Sequence, residues 1–246
     1  MCKKLIFLFA ASLYSFIIYS QNDPKTTELW EPIPAKVTPG ENGSPPSDAI
    51  VLFNGIDLSN FESMRGEEPK WKVENGIVTV VPNTGGLRTK QKFGDCQLHV
   101  EWRTPEKDLD KGQNKGNSGI FFMEKYEVQV LGSFENKTYP NGQAASIYKQ
   151  CIPLVNASKK PGDWQSYDII FTAPKFGKNG SLISQARITV LHNGILVQNN
   201  VSLLGPTEYI GMPSYKEHGN NESLILQNHG DLVSFRNIWV SELSKL

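Results

Sequence analysis

The stretch Glu222 to Leu243, ESLILQNHGDLVSFRNIWVSEL, decides the fold class. Side chains two apart share one face of a strand, so Leu224 and Leu226 point one way while Ile225, Gln227 and His229 point the other. Gly230-Asp231 predicts a turn into a second strand carrying Val233, Phe235, Arg236 and Trp239. Together the two strands read as a hairpin closing a sheet. A solvated turn histidine is the competing reading of His229, which gains a functional meaning only if other strands put polar groups on the same face.

Other strands have the same design. Cys96, Leu98, Val100 and Trp102 share one face, and Gln97, His99, Glu101 and Arg103 the other. Tyr126, Val128 and Val130 alternate with Glu127, Gln129 and Leu131. Asn75-Gly76 and Asn193-Gly194 each sit between strand-like runs, and Asn-Gly marks two-residue hairpin loops because both positions take positive φ. Further short runs, at Ser118 to Phe122 and Tyr167 to Thr172, complete an all-β pattern with no amphipathic helix of useful length. Strands with one apolar and one polar face predict a jelly-roll β-sandwich of two antiparallel sheets over residues 49–246.

The N-terminus differs. Lys3 and Lys4 precede an apolar run from Leu5 to Tyr19 that ends at Ser20, which predicts a signal peptide over residues 1–20 and an exported protein of the periplasm or outside. That run is too short to span a bilayer comfortably. Residues 21–48 carry six prolines between Pro24 and Pro46 and read as an extended lead-in. With 25 basic and 25 acidic residues, the chain has no electrostatic reason to bind nucleic acid or an anionic membrane. Cys96 shares its parity with core positions, so a buried free thiol is expected there in preference to a disulfide with Cys151.

Glu127, Gln129, Gln227 and His229, with Glu101, Arg103 and Arg88, make a candidate polar binding face. Ordinary glycosidases need two carboxyl groups flanking the bond. On its own strand, however, Glu127 is followed two residues on by Gln129, which cannot titrate. One base and one electrophilic stabiliser suffice for another reaction, in which a proton beside a ketone is removed and a leaving group departs. His99, Glu101, Glu127 and His229 are also metal-ligand types, which leaves a divalent metal open, although no close ligand spacing supports one.

The segments FNGIDLSNFE (Phe53 to Glu62), GGLRTKQKFGDCQLHVEWR (Gly85 to Arg103), GNSGIFF (Gly116 to Phe122), YEVQVLGS (Tyr126 to Ser133) and LQNHGDLVSFRNIWV (Leu226 to Val240), in this order and spacing, resemble the 3-keto-disaccharide hydrolase family. The resemblance implies a concanavalin A-like jelly roll acting on sugars oxidised at carbon 3, by hydrolysis or by elimination to a keto-glycal. Position by position it carries over Arg88, Glu101, Arg103, Asn117, Ser118, Glu127, Gln129, Tyr148, Gln227 and His229. Glu127 or His229 is the expected base, with Glu101 a further catalytic candidate. Arg88, Arg103, Asn117, Gln129, Tyr148 and Gln227 are the expected substrate-binding residues. Gly132 stands where the family pattern has an aspartate. The rival reading is a non-catalytic carbohydrate-binding module, since fold does not fix function.

Overall fold

A computed structural model describes residues 23–243 apart from 42, 108 and 109. The signal-peptide expectation for residues 1–20 therefore lies outside the described residues. The chain divides into two units at Val37/Thr38. In the first, the described residues 23–37 are exposed and hold one 3-10 turn, Pro24–Thr27, capped by the Asp23 carboxylate accepting from the Lys25 N–H at 3.0 Å.

The second unit is built from strands. In chain order they are β1 (Ile50–Phe53), β2 (Phe61–Ser63), β3 (Lys72–Glu74), β4 (Ile77–Thr79), β5 (Leu87–Thr89), β6 (Cys96–Arg103), β7 (Ser118–Phe122) and β8 (Tyr126–Val130). They continue as β9 (Gln165–Thr172), β10 (Lys175–Phe176), β11 (Leu182–Ser184), β12 (Arg187–His192), β13 (Ile195–Ser202), β14 (Ile225–Leu226) and β15 (Ser234–Glu242). A large sheet orders β13-β12-β9-β6-β15-β4-β3 with β1 added on β15, and a small sheet orders β2-β5-β14-β7-β8. Strand pairing is antiparallel throughout, as the alternating sequence required. The described residues contain no helix long and apolar enough to cross a membrane.

The core lies between the sheets. Cys96, Leu98, Val100 and Trp102 of β6 are buried with Tyr167 and Phe171 of β9, opposite Ile120, Phe122 and Val128 of the small sheet. Phe122 stacks on Phe171 across the gap at 4.7 Å between ring centroids. Burying an aromatic of this size stabilises by roughly 1.5–3 kcal/mol, and truncating one to alanine costs about 3–5 kcal/mol. Cys96 is a buried free thiol, as its parity indicated, and burial pushes its pKa up to about 12. Both Asn-Gly hairpins form as expected: Asn75 and Gly76 have φ of 52° and 76°, Asn193 and Gly194 of 53° and 76°.

The expected hairpin at Gly230-Asp231 does not form. β14 pairs with β5 and β7 in the small sheet, whereas β15 pairs with β1, β4 and β6 in the large one. The turn crosses from one sheet to the other. Asn228 pins it by donating to the Val81 and Gly85 carbonyls, and the Asp231 carboxylate accepts from the Asn117 N–H at 2.6 Å.

Candidate active site

The small sheet aligns its outer face in cross-strand rows. Pairing places Glu62, Arg88, Ile225, Phe121 and Glu127 side by side on β2, β5, β14, β7 and β8. Their neighbours Leu87, Leu226, Ile120 and Val128 are buried on the core side, which fixes the direction of the whole row. One step along, Gly119 pairs with Gln129, and its carbonyl accepts from the Gln227 N–H at 2.9 Å. The segment Ala145–Tyr148 then extends the sheet beyond β8. Ile147 bridges to Val128, and the Tyr148 N–H donates to the Glu127 carbonyl at 3.4 Å. From behind, the buried Tyr167 hydroxyl donates to the Gln129 carbonyl at 2.9 Å, fixing β8 to the large sheet.

A cavity of about 490 Å³ opens on this face. Its floor and walls bring together Glu127, Gln129, Gln227, His229, Tyr148 and Asn117, joined by Gln113, Asn114, Phe121, Tyr139, Thr207 and Tyr209. Glu127 is only 5% exposed. Its backbone N–H donates to Thr207 Oγ1 at 3.0 Å, but among the described residues its carboxyl group has no hydrogen-bond or ion-pair partner. Burial without a compensating charge disfavours the ionised form and pushes this carboxyl from its ordinary 4.5 up to about 8. Room for it comes from Gly119, where an added Cβ would lie 2.5 Å from Glu127 Oε1.

Amide groups share the cavity with the carboxyl. Gln129 Nε2 donates to Gln113 Oε1 at 3.2 Å, and Gln113 Nε2 donates in turn to Thr138 Oγ1 and the Gly142 carbonyl. Asn117 Nδ2 donates to the Gln113 carbonyl at 2.6 Å, so Gln113 ties three sides of the cavity together. Gln227 Oε1 is buried and accepts no hydrogen bond among the described residues. An orphaned acceptor costs about 1–3 kcal/mol, and a ligand hydroxyl arriving here would recover it. His229 stands exposed at the rim of the cavity.

Other sequence candidates lie elsewhere. Arg88 is on the same face, but Ile225 and Phe121 separate it from Glu127, and its Nε is bound to Glu62 Oε1 at 2.6 Å. Glu101, His99 and Arg103 belong to β6 and face outward from the large sheet, so alternation identified their polar face but not its side of the sandwich. There Glu101 accepts from Arg236 Nε at 2.6 Å and from Asn237, while His99 Nδ1 lies 2.7 Å from Asp168 Oδ1. Burial alone would raise the Glu101 pKa, but the hydrogen bonds from Asn237 and Arg236 outweigh it and hold the carboxylate below its ordinary value. The Arg103 and Arg236 guanidinium groups lie over the Trp164 ring at 4.7 and 4.2 Å. The four metal-ligand candidates are thus split between two faces, and no group of three or more His, Cys, Asp or Glu suited to a metal occurs among the described residues. Gly132 does not line the cavity; its N–H donates to the Lys115 carbonyl at 2.7 Å.

Gln113, Asn114, Thr207, Tyr139 and Tyr209 escaped the sequence reading because they come from loops that lack periodicity. Only the Pro140-Asn141-Gly142 turn signal beside Tyr139 marked any of them.

Residues 48–241 match the profile of the 3-keto-alpha-glucoside-1,2-lyase-like domain. A candidate glycosyl hydrolase from Parabacteroides distasonis is 50% identical in sequence, with a TM-score of 0.86 over 89% of this chain and 96% of that one. A second candidate glycosyl hydrolase of that organism, 17% identical, shares the fold with a TM-score of 0.59 over 80% of this chain and 94% of its own. No curated protein matches the chain. Profile and structural relative agree: the chain belongs to the 3-keto-alpha-glucoside-1,2-lyase-like family and carries a carbohydrate-active enzyme domain.

Proposed function

We propose that the protein cleaves glycosides already oxidised to a ketone at carbon 3, with Glu127 as the base that removes the proton at carbon 2. The observation carrying this reading is the buried, unpartnered Glu127 carboxyl with its pKa near 8, the only carboxyl group among the described residues that line the cavity. A double-displacement or inverting glycosidase would need a second carboxyl within about 5–10 Å. A 3-keto sugar needs none, because the ketone acidifies the neighbouring proton and the electron pair is delocalised onto its oxygen. A base whose pKa lies near the working pH couples a usable fraction of the ionised form to a strong drive for proton transfer.

The remaining groups have roles that fit this step. Gln227 Nε2 and the His229 ring supply donors for the enolate oxygen, and Gln227 Oε1 accepts from a sugar hydroxyl. Collapse of the enolate then expels the group on carbon 1 and leaves a conjugated keto-glycal, to which water adds when the net outcome is hydrolysis. The apolar run after Lys3 and Lys4 supports export of the enzyme to the periplasm or beyond.

Purified protein incubated with a 3-keto-disaccharide and with its unoxidised parent tests the reading. Mass spectrometry and ultraviolet absorbance should show cleavage of the keto compound alone. A conjugated product appearing first indicates elimination, and free 3-keto sugar from the outset indicates direct hydrolysis. Binding of both sugars with turnover of neither would leave a carbohydrate-binding module instead.

A further inference from the structure

Removing a proton at carbon 2 solves half of the problem, since an alkoxide leaving carbon 1 must also be protonated. Glu127 cannot donate that proton while it is the base. Two hydroxyls on the cavity wall are placed for it: Tyr139 Oη and Tyr148 Oη lie 2.7 Å apart, and both residues line the cavity. Tyr148 follows Ile147, which bridges to Val128, so its backbone sits directly beside that of Glu127.

We propose that Tyr148 is the catalytic proton donor to the departing oxygen and that Tyr139 is the positioning residue that orients and reprotonates it. This inference rests on the 3-keto-glycoside reading above and narrows it to glycosides whose leaving group is an aliphatic alcohol, a second sugar included.

The local structure is organised around this pair. The Tyr139 ring lies where a Gly142 side chain would be, since an added Cβ would come within 2.0 Å of Tyr139 Cε2. Lys149 adopts a left-handed φ of 59°, and its N–H donates to the Asn141 carbonyl at 2.7 Å, tying the Tyr148 segment to the Tyr139 turn. Tyr139 remains 38% exposed and so touches solvent, whereas Tyr148 is half-buried. Burial keeps the Tyr148 phenol well above its ordinary pKa. It therefore stays protonated across the working range and still protonates an alkoxide, which is the stronger base.

When Tyr139 donates to Tyr148, the Tyr148 proton is free to point into the cavity. The Glu127 carboxylate takes the carbon-2 proton, the carbon 1–oxygen bond breaks with its electron pair going to oxygen, and that oxygen takes the Tyr148 proton. Tyr139 passes its proton to Tyr148, and solvent refills Tyr139. Glu127 later releases its proton to solvent, so one proton is taken up and one returned per turnover.

The test compares methyl and p-nitrophenyl 3-keto-α-glucosides on the wild type, Tyr148→Phe and Tyr139→Phe. Methoxide needs a proton to leave and p-nitrophenolate does not. Each variant should lose about 100-fold or more in kcat on the methyl glycoside, the low end of general-acid contributions, with KM little changed and the p-nitrophenyl rate within about threefold of wild type. The ratio between two substrates on one protein sample is insensitive to how much of a variant folds. Equal losses on both substrates, or a loss confined to KM, would overturn the assignment. Wild type that cleaves neither compound would instead remove the parent reading.

Discussion

Replacing Glu127 by Gln keeps the side chain's shape and removes its ionisation, and the consequence for stability follows from burial alone. The folded carboxyl holds its proton up to about pH 8, whereas the unfolded chain releases it near 4.5. Between these values the folded state binds the extra proton, so Glu127 makes the protein progressively less stable as pH rises through the window. The gap, 8 − 4.5, is 3.5 units. At about 1.36 kcal/mol per unit this sets an upper limit of roughly 5 kcal/mol, which water entering the open cavity reduces to about 2–4. For a domain of this length each kcal/mol moves Tm by about 2–4 °C. Thermal melts of wild type and Glu127→Gln should therefore nearly coincide at pH 4.5 and diverge by about 5–15 °C at pH 9, with the variant the more stable. Its turnover of a 3-keto-glycoside should fall by about 100-fold or more at every pH. A Tm difference that does not change with pH would falsify the claim that the carboxyl is sequestered. Undiminished turnover would remove Glu127 from the chemistry.

If Glu127 acts as a base, kcat/KM for the wild type should rise with pH and level off above a midpoint near 8, read from a pH–rate profile in matched buffers. A falling limb at that midpoint would reassign it as the acid. Gln227→Met removes the orphaned acceptor together with the Nε2 donor, so it should raise Tm by a few degrees while kcat/KM drops about 100-fold or more, the loss expected when one donor to a developing oxyanion is removed. A drop in both would show Gln227 to be structural. Glu101→Gln cuts the Arg236 ion pair on the far face of the sandwich and should leave kcat and KM within twofold, with Tm lower by no more than about 3 °C because Arg236 is partly exposed. A large loss of turnover would mean that the outer face of the large sheet takes part.

The period-two pattern carried the fold because it is local. It placed Glu127 with Gln129, and Gln227 with His229, on common faces, and the cavity indeed gathers all four. It could not say which side of the sandwich each face belongs to. Gln97, His99, Glu101 and Arg103 alternate in the same way as Glu127 and Gln129, yet β6 turns them to the opposite exterior, a distinction that depends on pairing between residues far apart in the chain. The turns divide along the same line. Asn-Gly succeeded at 75–76 and 193–194 because left-handed φ at both residues is itself the hairpin geometry. At Gly230-Asp231 the chain also reverses, but nothing local records whether the flanking strands pair or part, and here they part. The raised pKa of Glu127 was not legible in the sequence, since depth of burial is a property of the assembled loops.

Gly119 gives the site an unusual vulnerability. A methyl group on it would meet the Glu127 carboxyl and leave the β7 backbone pairing intact, because the obstruction is a side chain and not the ladder. One codon change would thus shift the proposed base while leaving the scaffold as it is. A descendant freed from the need to turn over its ligand could drift to recognition alone without rebuilding a single strand, and the reverse step would reopen the reaction just as cheaply.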